Sequence, residues 1–168
     1  MARNGRDSAH LLSIFDQAYN RKSWHGTNLR GSVRGLTFGQ AQWRPAPDRH
    51  NIHELVLHAA YWKYAVANRL ARGRRGSFPI KGSNWFTPAA EPLGWTKAVA
   101  LMDSVHRELR LVIEQVIDSD MDKPLPDSST TTFELVSGIV AHDLYHAGQI
   151  QFLKVLQRSS AKSARRTD

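Results

Sequence analysis

The chain has 168 residues, 41% of them hydrophobic and 23% charged, enough for one globular domain with a sizeable core and unlike a disordered or fibrous composition. No apolar run approaches the roughly 20 residues that a membrane-spanning helix needs, and the complete absence of cysteine excludes disulfides, a thiol nucleophile and a thiolate metal site. The net charge of +8 invites a nucleic-acid partner. Its placement argues against one. Arg158, Lys162, Arg165 and Arg166 lie in a polar C-terminal tail, and Arg69, Arg72, Arg74, Arg75 and Lys81 lie at a helix end and in a loop, both commonly solvated surface. No helix-turn-helix, zinc-finger or RNA-binding signature accompanies them. The opening residues, 1–7, lack the apolar segment of a secretory signal, so a cytoplasmic location is expected.

Four segments carry helical periodicity. The first, residues 8–20, turns Leu11, Leu12, Phe15, Ala18 and Tyr19 to one side. A connection rich in Gly and Pro follows, with short helical turns expected near residues 28–34 and 38–42. The second helix is expected over residues 51–72, opened by Asn51 with Glu54 three positions later, the spacing of a capping box. Its apolar positions are Ile52, Leu55, Ala59, Trp62, Val66 and Leu70. Residues 73–94 form a long connection, and the third helix, 95–117, spaces Ala98, Met102, Val105, Leu109, Val112 and Val116 by threes and fours. The fourth opens with Thr131 and Glu134, another capping box, and is expected to end near Leu156, leaving a disordered basic tail over 157–168. The sum is an all-α, four-helix bundle as one domain over residues 1–156. The connection between helices two and three is long enough to make them parallel.

Histidine carries the chemistry. A pair four apart recurs by chance in a chain with eight histidines, so the spacing needs context. His142 and His146 have it. Steps of four and three along the fourth helix give Leu135, Ile139, His142, His146, Gln149, Leu153 and Leu156, so two imidazoles and an amide interrupt an apolar stripe. Neighbours on one helix face can reach a single ion, whereas buried imidazoles without a partner cost stability. The alternative is that each finds a carbonyl or a buried water. His58, between Leu55 and Trp62, faces inward by the same pattern and completes a candidate set of three. His10, His25 and His106 lack such a setting and are expected at the surface or at caps, although His25 could lie near the site mouth. Glu54 could orient His58 or serve only the capping box. Gln149 is a candidate substrate or water contact, or plain packing. Trp62 is expected in the core or as a pocket wall, and Asp143 and Tyr145 in surface or interhelical contacts. Gly148 would let another helix approach closely.

Two stretches, QWRPAPDRHNIHELVLHAAYW over residues 42–62 and GIVAHDLYHAGQI over residues 138–150, resemble the DinB/YfiT-like superfamily of metal-binding four-helix bundles. The resemblance spans about residues 10–156 and implies metal ligation by His58, His142 and His146, with no departure at those positions. It also implies an up-down-down-up bundle, and members are often dimers, so a homodimer is expected. Some members are transferases or isomerases using low-molecular-weight thiols, and others have no assigned reaction. Three imidazoles leave an ion open positions, as a catalytic site requires. The expectation is therefore one divalent ion (zinc, nickel, iron or manganese) serving a thiol S-transferase type of reaction or a hydrolysis, with a small molecule as substrate. A metal-holding stress-response protein without turnover is the alternative, and a nucleic-acid binder a lesser one.

Overall fold

The computed structural model describes residues 3–73, 76–86, 93–116, 121–126 and 128–164. Six helices, α1 (Arg3–Tyr19), α2 (Leu29–Ser32), α3 (Phe38–Gln42), α4 (Ile52–Leu70), α5 (Trp95–Val116) and α6 (Thr132–Ala164), account for the regular structure, and no strand is present among the described residues. Local chemistry sets their starts. The Asn28 side chain accepts from Gly31 N at 2.9 Å, and reciprocal side-chain and backbone bonds make capping boxes of Thr37 with Gln40 and Asn51 with Glu54. At α6, Thr131 N donates to Glu134 Oε2 at 2.7 Å and Glu134 N donates to Thr131 Oγ1 at 3.1 Å.

α4 is the central element. It is buried on every side from Asn51 to Ala60, and it packs on both α5 and α6. The interior divides into two apolar clusters. One gathers Tyr19, Leu55, Val56, Met102, Val105, Ile150 and Leu153. The other gathers Leu11, Phe15, Val66, Leu70, Leu109, Val136 and Ile139. Along the chain, α4 and α5 pass from the first cluster to the second, whereas α1 and α6 pass from the second to the first, an order compatible with an up-down-down-up path.

Differences from the sequence reading concentrate at ends and flanks. α1 begins at Arg3 rather than Ser8. α6 continues to Ala164 instead of stopping near Leu156, because no Gly or Pro follows Gly148 in it and Gln, Lys, Arg and Ala sustain a helix. The segment expected to be disordered is thus helical over residues 157–164, and 165–168 lie outside the described residues, as do Arg74 and Arg75 of the basic loop. Gly148 faces open space, with no atom within 4 Å of where a Cβ would stand, so it admits no helix of its own chain. No helix among the described residues is long and apolar enough to cross a membrane.

Candidate metal centre

The buried face of α6 takes in Ile139, His146 and Leu153 of the stripe traced through the histidines and adds Val136, Val140, Asp143, Ala147 and Ile150, each one position beyond a member of that stripe. Asp143 therefore occupies the middle of the packed face, where it forms a fully buried ion pair with Lys63 of α4. His142 and His146 fall on the flank of that face, His142 half-buried and His146 buried, and His58 of α4 meets them there. One nitrogen of each ring lies within 4.8 Å of the others. His58 Nε2 and His146 Nε2 are both 3.1 Å from His142 Nε2.

The opposite edges of two rings decide what those nitrogens are. His58 Nδ1 is 3.0 Å from the carbonyl oxygen of Asn84, which can only accept, so the ring proton sits on Nδ1. His146 Nδ1 is 2.7 Å from Gln149 Oε1 and is protonated for the same reason. Burial pushes the imidazolium forms of all three down, His142 to about 3 and His146 to about 4, with neighbouring imidazoles adding to the depression at both. All three rings are neutral at pH 7. Hence Nε2 of His58 and Nε2 of His146 present lone pairs, and a proton on His142 Nε2 could satisfy one of them but not both. Nitrogens that share an ion at about 2.0–2.1 Å each stand roughly 3 Å apart, close to the separations here. The donor set fits a metal ion. His142 Nδ1 is buried without a hydrogen-bond partner among the described residues.

The walls are aromatic. Trp85 stacks on His58 at 3.9 Å and 12°, and its other face carries His50 at 3.6 Å and 6°. Trp62, expected in the core or as a pocket wall, is 38% exposed, stands edge-on to His58 and His142 at the rim and donates Nε1 to Asn84 Oδ1 at 2.9 Å. Asn84 and Trp85 were beyond sequence reasoning, since they lie in the connection after α4 whose path no periodicity sets. The one local signal is Asn84 itself, which follows Gly82 and Ser83 and adopts φ +61°, a conformation Asn tolerates better than most residues. Glu54 does not reach His58. Its carboxylate takes Arg44, His50 Nδ1 at 3.1 Å and the Asn51 backbone, so it pins the start of α4. Burial pushes the Glu54 carboxyl up, but the bonds from Arg44, His50 and Asn51 outweigh it and hold the group below its ordinary value.

The model of the DinB superfamily matches residues 22–150, a span that contains α4, all three histidines and Gln149. The chain belongs to the DinB superfamily. No curated protein and no solved structure matches it. DinB-like proteins bind metals, and the three-histidine cluster is compatible with that property. The remaining histidines are not among the three whose nitrogens meet. His25 and His10 are exposed. His106, expected at the surface or at a cap, is buried and stacked on Tyr19 at 3.7 Å and Phe15 at 4.6 Å, and burial pushes its imidazolium form down to about 2. Its position among Met102, Val105, Leu109 and Ile113, all buried, was the available signal. Asp143 makes an interhelical contact, and Tyr145, 64% exposed, stands edge-on to His146 at 5.1 Å.

Proposed function

We propose that His58, His142 and His146 hold one divalent transition-metal ion and that the site acts on a small molecule bound at the exposed rim. One observation carries the reading: two rings are fixed with their protons on Nδ1, and their Nε2 lone pairs converge on the third imidazole. Such an ion, held by three neutral imidazoles, supplies Lewis acidity and leaves positions for a water or a low-molecular-weight thiol. Three imidazoles suit zinc, nickel, iron or manganese.

The chain's own residues do the positioning. The Asn84 carbonyl and the Trp85 ring fix the plane of His58, and the Gln149 amide fixes His146. Trp62 and Tyr145 supply exposed aromatic surface beside the rings, suited to an apolar or aromatic portion of a substrate. With no cysteine in the sequence, any thiol must arrive as a cosubstrate, which favours a thiol S-transferase type of reaction, with hydrolysis second. A metal-holding protein without turnover shares the same site and differs in lacking that activity.

Elemental analysis of the untagged protein, beside a variant with His58, His142 and His146 all changed to Ala, tests the first step. About one transition-metal ion per chain, lost in the variant, is the expected result. A wild-type protein that takes up no such ion even after reconstitution would leave three packed histidines and end the proposal. Metal-loaded protein is then assayed with low-molecular-weight thiols and electrophiles, and product formed only in the presence of thiol supports transfer over hydrolysis.

A further inference from the structure

The charge of the chain is unevenly placed. No Asp or Glu stands in residues 17–47 or 144–164, and the eight Lys and Arg residues of those two stretches equal the net charge of +8, so the rest of the sequence is balanced. The fold lays the two stretches together. Gln151 Nε2 donates to Thr27 Oγ1 at 3.2 Å, Lys154 Nζ to the Ser32 carbonyl at 2.9 Å and Gln157 Nε2 to the Gln40 carbonyl at 3.2 Å. The loop after α1, with α2 and α3, therefore lies along the second half of α6. Arg30 and Arg44 are neutralised by Asp103 and Glu54. Arg34, Arg158 and Lys162 are exposed, and no ion pair holds them among the described residues. Burial pushes the Lys154 ammonium down, and so does Arg158 beside it, as expected where cations crowd without an acid.

Apolar side chains share this surface. Trp24, which follows Arg21 and Lys22, is 94% exposed and stands three residues before Thr27, the contact with α6. From Gln151, steps of four, three and four along α6 reach Val155, Arg158 and Lys162, so the helix face that meets the loop runs on as exposed side chains. Val155 is 49% exposed, and Phe152 on its flank 63%. We infer that this surface docks on a bilayer containing anionic phospholipid, with Trp24, Phe152 and Val155 at the level of the headgroups and Arg34, Arg158 and Lys162 against their phosphates. Charge selects the occupant. A second copy of the same surface would oppose cations to cations, with no acid from either stretch to pair them. Single-stranded nucleic acid is drawn into a basic groove lined by stacking rings. Here apolar and basic side chains share an exposed helix face and a loop, the combination that an anionic bilayer buries. Trp is enriched where membranes meet water, because its ring is amphipathic. The docking is peripheral, since no helix among the described residues is long and apolar enough to cross a membrane. It stands whatever the histidines hold.

Co-sedimentation of the full-length protein with vesicles of phosphatidylcholine, alone or mixed with phosphatidylglycerol, tests the docking. Binding to the mixed vesicles only, reversed by high salt, is the expected result. Each basic residue at such a surface contributes roughly fivefold, so Arg158→Gln combined with Lys162→Gln is expected to weaken binding about 25-fold. Binding is also expected to shift the tryptophan emission to the blue, and Trp24→Ser to remove that shift and loosen the protein from the vesicles. Circular dichroism checks that both variants, changed only at exposed positions, keep the helix content of the wild type. Equal binding to the two kinds of vesicle, or binding to neither, overturns the inference, as does a double variant that binds as tightly as the wild type. Single-stranded polyuridylate that holds the protein more tightly than the mixed vesicles do, and loses it in the same variants, would assign the surface to nucleic acid and overturn the inference as well.

Discussion

Gln149 sits one helical turn beyond His146 and holds the proton of that ring in place through a 2.7 Å contact to Nδ1. A ligand imidazole fixed in this way keeps its other lone pair on target, and loss of such a partner typically weakens metal affinity 10–100-fold. Gln149→Leu, which keeps the bulk and removes the acceptor, is expected to lose about that much in competition with a chelator while folding normally. An affinity equal to that of the wild type would make Gln149 packing and nothing more. At this scale the sequence was informative where a residue's role follows from its place on one helix. The spacing of His142, His146 and Gln149 sufficed to group them. It was silent about Asn84 and Trp85, because a carbonyl acceptor and a stacking ring from a long connection depend on a path that local patterns do not specify. His106 was misplaced for another reason: a histidine within an apolar face was read by its type instead of by its neighbours.

The starts of α4 and α6 were legible because capping chemistry is local, and the boxes at Asn51 and Thr131 mark their first turns. The end of α6 was not, since polarity alone does not stop a helix that lacks Gly and Pro. The partner of Asp143 was not legible either: of the surface or interhelical contact expected for it, it makes the interhelical one, with Lys63 of α4, and both side chains are fully buried. Burial pushes the Lys63 ammonium down and the Asp143 carboxyl up, and the attraction between them opposes both shifts. Removing one partner leaves the other charge buried and alone, at a cost of about 3–5 kcal/mol, whereas replacing both by apolar residues of similar volume is often neutral or stabilising. Lys63→Met is therefore expected to lose stability of that order in urea denaturation, and the Lys63→Met, Asp143→Leu double variant to regain most of it. A double variant as unstable as the single one would show that the pair supplies net stability to the α4–α6 contact.

At the scale of the whole molecule the candidate site joins helices that are remote in sequence: His58 and His142 are 84 residues apart and meet only when α4 and α6 are packed. An unfolded chain offers eight separate histidines and no preformed set of three, so an ion held by the cluster binds the native state far better than the unfolded one. Binding then adds stability that grows with the logarithm of free ion, about 2.7 kcal/mol at a hundredfold excess over Kd. For a domain of this length that corresponds to a rise in Tm of roughly 5–10 °C. Thermal melts with and without zinc, then with excess chelator, are expected to show the rise and its reversal. The variant with all three histidines changed to Ala should melt at one temperature throughout. An equal rise in wild type and variant would place the ion elsewhere on the protein, and no rise in either would mean that α4 and α6 are held together by their apolar clusters and the buried ion pair alone.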